Sequence, residues 1–134
     1  VIRSIKQTFA ETLNYNGRSK RSDYWFYFLF VLFLSFFQIT ILLILGFSLE
    51  GPVFALVGWV LGILTTIPNI ALSVRRTHDF GVTGWIVLPV WSLSFADLWS
   101  DAIGTLVLVG FFLLVVIGLL PGHKGPNKYG AAPA

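Results

Sequence analysis

Residues 24–49 read YWFYFLFVLFLSFFQITILLILGFSL, a run of 26 positions without one formal charge. As a helix rising about 1.5 Å per residue it is about 39 Å long, more than the roughly 30 Å of hydrocarbon in a bilayer. Tyr24, Trp25 and Tyr27 stand at its entrance, where amphipathic rings favour headgroup depth. A secretory signal would have a shorter apolar core and a small-residue cleavage site. The stretch is therefore read as a first transmembrane span that stays in the mature protein.

The residues before it prepare that entrance. Asn16-Gly17 suggests a turn, and Arg18, Lys20 and Arg21 make a basic approach to the span. Ser22 is a candidate helix cap, and Asp23 suits the positive end of the helix dipole. Further upstream, Ile2, Ile5, Phe9 and Leu13 recur at spacings of three and four, with Arg3, Lys6, Gln7 and Glu11 between them. That is an amphipathic helix pattern, too short and too charged to span, so residues 1–13 are expected to lie in the headgroup region.

Downstream, residues 46–52 make a short reversal carrying Glu50, and residues 52–74 form a second uncharged stretch. Gly58-x-x-x-Gly62 lies within it, a spacing that lets helix backbones approach closely. Pro68 removes a backbone hydrogen bond and predicts a kink. Asn69 beside it, like Gln38 in the first span, suits hydrogen bonding to a neighbouring helix. Arg75-Arg76-Thr77-His78-Asp79 ends the second span, and Gly81 and Gly84 loosen the connection. Residues 82–99 and 103–120 supply two more crossings, and residues 121–134 a tail rich in Gly and Pro. The expected fold is a single all-α membrane domain of four transmembrane helices preceded by an interfacial helix.

Composition agrees: 56% of the 134 residues are hydrophobic and 11% charged, against roughly 25% charged in a soluble domain. A soluble fold this small could not hide so much apolar surface. With four crossings, all nine Lys and Arg residues fall on one side, opposite Glu50, Asp97 and Asp101. The positive-inside rule makes that basic side the cytoplasm, with both termini on it. A re-entrant segment in place of the third span would strand Lys124 and Lys128 outside, so three crossings fit less well. There is no Cys, so thiol chemistry and thiolate metal sites are excluded. The net charge of +3 reports orientation and contact with anionic lipid, since no nucleic-acid-binding pattern accompanies it.

Three blocks stand out together: Asn16-Gly17-Arg18 with Arg21-Ser22-Asp23-Tyr24-Trp25; Arg75-Arg76 with His78-Asp79, Gly81 and Gly84-Trp85; and Pro121-Gly122 with Gly125-Pro126-Asn127-Lys128-Tyr129-Gly130. In that order and spacing, over residues 13–130, they resemble the domain of unknown function 805 family of small bacterial inner-membrane proteins. The resemblance implies a multi-helix protein of the bacterial inner membrane and carries no settled biochemical role. The chain departs from the family pattern at Val82-Thr83, where a basic residue is common, and at residues 91–104, a longer acidic connection.

The strongest polar constellation is Arg75, Arg76, His78 and Asp79, with Arg18 and Arg21 on the same membrane face. Either arginine can reach Asp79 along a helix. One reading is a snorkelling basic belt tied by an ion pair; the other is a site for lipid phosphate, whose oxygens a guanidinium matches bidentately. His78 beside Asp79 lacks a nucleophile with motif context, so no catalytic residue is assigned; no metal or cofactor is expected either. The spans carry no mid-membrane charge, which disfavours a proton-coupled carrier. The tail is either exposed or ordered on the basic loop, with Tyr129 and Pro126 beside Trp85 or Trp25. The favoured function is non-enzymatic: an accessory or assembly subunit of a larger membrane complex, or a lipid-associated scaffold, in contact with anionic lipid and with other subunits or copies of itself. An oligomeric channel or carrier is the alternative, and a lipid-modifying enzyme a distant one.

Overall fold

The computed structural model describes residues 1–94 and 103–133. Five α-helices make up the described chain: α1 (Ile2–Ala10), α2 (Arg21–Ile44), α3 (Pro52–Asp79), α4 (Val87–Ser94) and α5 (Ile103–Leu119), with a 3₁₀ turn at Gly84–Ile86 leading into α4. Two of them, α2 and α3, are long and apolar enough to cross a membrane. The expected third span, residues 82–99, is described as far as Ser94. Asp97, Trp99 and Asp101 lie outside the described residues.

Helix ends follow from local chemistry and shift several expected boundaries. The first apolar run continues to Leu49, but the helix stops at Ile44 because Gly46 takes φ +82°. Around it, Phe47 N–H donates to the Leu42 carbonyl and Gly46 N–H to the Leu43 carbonyl, both at 3.0 Å. This crossed pair satisfies carbonyls that the helix end would leave free. The same device closes α3: Gly81 has φ +85°, Val82 N–H donates to Thr77 and Gly81 N–H to His78. Helix α3 thus carries Arg75 to Asp79 as its last turn and a half, beyond the uncharged stretch that ends at Val74. Ser22 does not cap α2; the helix starts before it, at Arg21, with Lys20 at the cap position. At the start of α3, Pro52 occupies the first helical position, where its missing N–H has no partner to lose.

The helix is continuous through Pro68. Near that break in the hydrogen-bond ladder, the Tyr27 hydroxyl donates to the Thr65 carbonyl at 3.0 Å, joining α2 to α3. Tyr24 does the same toward α5, donating to the Leu114 carbonyl at 3.0 Å, and Trp25 Nε1 reaches the Gly118 carbonyl at 3.2 Å. Gly118 admits these rings: a Cβ there would lie 2.9 Å from Tyr24 and 3.1 Å from Trp25. Tyr24, Tyr27, Leu72, Val90, Leu114 and Ile117 form the apolar core. Helix α5 packs on α4, α3 and α2, and α1 lies across α2 and α3. Phe9 anchors α1, edge-on to Tyr27 and Phe30.

Burial runs opposite to that of a soluble protein. Phe33, Phe36 and Phe37 on α2 are exposed, as are Leu56, Ile63 and Leu64 on α3, while Ser73, Arg75, Arg76, Thr77 and Asp79 are buried. An apolar exterior is stable only where the surroundings are themselves apolar.

Candidate functional site

The last turns of α3 are the hub of the polar end. Successive residues on a helix diverge by about 100°, so Arg75 and Arg76 serve different segments. Arg75 turns to the N-terminal side. Its Nη1 donates to the Glu11 carbonyl at 2.9 Å and the Asn14 carbonyl at 2.6 Å and pairs with the Glu11 carboxylate at 3.2 Å; its Nε reaches Ser19 Oγ at 3.2 Å. Ser19 N–H returns a bond to the Arg75 carbonyl. Arg76, wholly buried, turns to the C-terminal side, pairing with Asp79 and donating to the Leu120 carbonyl just past α5. A cation there also meets the negative end of the α5 dipole.

Asp79, 4% exposed, receives a second guanidinium from 61 residues away. Arg18 Nε and Nη2 both donate to its Oδ1, at 3.0 and 2.8 Å. The remaining donors of the fork hold the tail: Nη1 reaches the Gly125 carbonyl at 2.7 Å and the Gly130 carbonyl at 3.3 Å, and Nη2 the His123 carbonyl at 2.6 Å. His123 N–H in turn donates to the Asp79 carbonyl at 2.9 Å. Two arginines on one carboxylate leave an excess positive charge, which backbone carbonyls solvate in place of water. Gly122 is required at the contact, because a Cβ there would lie 1.9 Å from Asp79 Oδ2.

His78 faces outward from the hub. Its Nδ1 lies 3.2 Å from the Gly17 carbonyl, and its ring stacks on Tyr129 with centroids 3.8 Å apart and planes 5° apart. Asn127 fixes that stack, donating Nδ2 to the His78 carbonyl and accepting from Tyr129 N–H. The 127–130 turn closes with reciprocal backbone bonds between Asn127 and Gly130. The tail is therefore ordered on the basic loop, with Tyr129 stacked on His78.

Of the six residues expected to meet lipid phosphate, Arg18, Arg75, Arg76 and Asp79 converge but are committed to partners within the chain, the arginines donating and Asp79 accepting. His78 borders a groove, and Arg21 is exposed on the first turn of α2. Of the two arginines within reach of Asp79, Arg76 makes the pair. Asn69 is buried. Within one chain the Gly58 and Gly62 face is not a tight contact: a Cβ at Gly62 would meet nothing within 4 Å, and one at Gly58 would lie 3.5 Å from Gln38. Sequence reasoning missed Glu11 and Ser19 as partners of Arg75 and the role of Gly122. Glu11 lies 64 residues from Arg75, and no spacing rule links positions that far apart.

All three quoted blocks, at residues 16–25, 75–85 and 121–130, thus meet in one clasp. A family model described as "Protein of unknown function (DUF805)" matches residues 12–131. The chain belongs to the DUF805 family. Among curated relatives, inner membrane protein YhaI of Escherichia coli is 33% identical over 121 residues, covering 90% of this chain and 86% of YhaI. Inner membrane protein YhaH of the same organism is 25% identical over 121 residues, covering 90% and 88%. No solved structure matches the chain. The DUF805 match begins just before the Arg18 loop and ends just after Gly130, so it encloses every member of the clasp except Glu11. Among the described residues, no group of three or more His, Asp or Glu is placed to hold a metal ion.

Proposed function

We propose that this DUF805 protein crosses the inner membrane four times with both ends in the cytoplasm, and works by contact, as an accessory or assembly subunit beside a larger membrane protein. The observation that carries the reading is the clasp itself. It gathers the start of α2, the end of α3 and the end of α5 at one pole, so the chain leaves that pole after α3 and returns to it through α4 and α5. Nine basic residues then share one side, which the positive-inside rule assigns to the cytoplasm.

Two further features support action by contact. The clasp engages its own ionic groups, which suits a structural lock better than a reaction centre. The outer faces of α2 and α3 offer Phe33, Phe36, Phe37, Leu56 and Trp59 to the bilayer, a surface suited to lipid and to another protein's helices. Among the described residues, the cavity between α2 and α3 lined by Ser35, Gln38 and Thr65 holds about 80 Å³, too little for a solute path by itself.

The test is extraction from native membranes into nanodiscs, followed by mass spectrometry of what travels with the chain. A membrane protein in fixed stoichiometry, lost when Phe36 and Phe37 are both replaced by Ala, is the expected result. A strictly monomeric chain recovered without any protein partner would overturn the contact role.

A further inference from the structure

Beside the clasp, a groove of about 630 Å³ opens between α3, the 3₁₀ turn and the tail. Along α3 its lining passes from apolar to polar, from Ile70 and Val74 to His78, on which Tyr129 stacks; Leu88 of α4 and Asn16 complete it. Trp85 also lines the groove and is 76% exposed. We propose that this groove seats one anionic glycerophospholipid, its acyl chain along Ile70, Val74 and Leu88 and its headgroup against His78 and Tyr129. The inference rests on the proposed placement of this pole at headgroup depth.

Three observations select that occupant. The polarity changes along α3 in the same sense as along a lipid, and an exposed Trp, the residue type favoured at membrane interfaces, follows Gly84, which faces both Val74 and His78. The space is in the range of small-molecule sites and far larger than a lone phosphate ion requires. The charge is one-sided: the groove lining has no carboxylate, and the Lys128 ammonium lies 5.0 Å from the centre of the Tyr129 ring at the polar end. A cation there favours an anionic headgroup over a zwitterionic one.

His78 is held in position for this contact. A carbonyl can only accept, so the Nδ1 facing Gly17 carries the proton, and the Tyr129 stack fixes the ring plane. Nε2 is the ring nitrogen left for a ligand. Gly84 keeps the space before it open and lets the 3₁₀ turn sit on α3: a Cβ there would lie 3.2 Å from Nε2 and 2.5 Å from Val74 Cγ1. A neutral ring accepts from a headgroup hydroxyl through Nε2, and a charged ring donates to phosphate.

The experiment uses the full chain in phosphatidylcholine nanodiscs doped with phosphatidylglycerol that carries a photoactivatable acyl chain. A matched phosphatidylcholine probe serves as comparison, and crosslinked peptides are mapped by mass spectrometry. The expected result is several-fold stronger labelling by the phosphatidylglycerol probe, concentrated on residues 70–88. Leu88→Trp, which fills the groove at a position that makes none of the Arg18, Arg76 and Asp79 ion pairs, should abolish that excess while leaving the melting temperature and tail proteolysis unchanged. His78→Gln should reduce it. Equal labelling by the two probes, labelling spread evenly over α2 and α3, or an excess that survives Leu88→Trp would overturn the proposal. Displacement of the probe by inorganic phosphate would also overturn it, in favour of a free-anion site. The nanodiscs hold no partner protein, so the outcome is independent of the contact role and can fail without it.

Discussion

At the scale of single residues, Asp79 matters most, because its loss leaves two buried guanidinium groups facing each other. Removing one partner of a buried ion pair costs about 3–5 kcal/mol, since the remaining charge keeps its desolvation penalty. Asp79→Ala should therefore destabilise the protein by about that much in detergent, whereas Arg21→Ala, on an exposed position, should stay within about 0.5 kcal/mol. Denaturant titration of both variants checks the contrast, and equal effects would contradict it. Arg18→Lys keeps the charge but loses the planar fork that joins Asp79 to three tail carbonyls. Trypsin should then cut faster at Lys124 and Lys128 than in the parent protein. Unchanged cleavage would mean that the tail is held without the fork. Arg76 with Asp79 was legible in the sequence, since three residues on a helix bring side chains together. Arg18 with Asp79 was not: nothing in Arg18, Lys20 and Arg21 distinguishes the one that turns inward, and the glycine that makes room, Gly122, lies a hundred residues further on.

At the scale of elements, hydropathy located the helices and backbone geometry ended them. The run through Leu49 has no charge to stop it, yet the positive φ of Gly46 closes α2 five residues earlier. Gly46→Ala should cost about 1 kcal/mol, the strain of a side chain in the left-handed region. Gly122→Ala should cost more, because its Cβ would displace the Asp79 carboxylate. Gly62→Ala should leave the isolated chain as stable or gain up to about 1 kcal/mol of helix propensity, since its Cβ meets open space. Thermal melts of the three variants order them. If Gly62→Ala instead weakened recovery with a partner, a neighbouring helix would be approaching that face. Ser22 shows the limit of cap reading: its hydroxyl suits a cap, yet α2 begins at Arg21 with Lys20 at the cap position and no side-chain cap bond.

At the scale of the whole molecule, the sequence carried the all-helical, apolar character of the chain and its two long helices, because lipid constrains composition and length directly. It carried the three blocks of the clasp as separate motifs. Their convergence depends on helix packing that no spacing reveals, and the groove depends on it too: Asn16, Val74, Leu88 and Tyr129 share one space only once the tail has docked. The central proposal is the topology, in which the basic pole gathers both ends of the chain on the cytoplasmic side. The absence of cysteine makes it directly measurable, since each introduced Cys is the only one present. Lys6→Cys, Glu50→Cys and Lys124→Cys, made singly, would be exposed in intact cells to a maleimide that cannot cross the inner membrane. The account predicts labelling of Glu50→Cys alone, with the other two reacting only after permeabilisation. Labelling of Lys124→Cys in intact cells would contradict it, placing the tail opposite the Arg18 loop that the clasp joins to it.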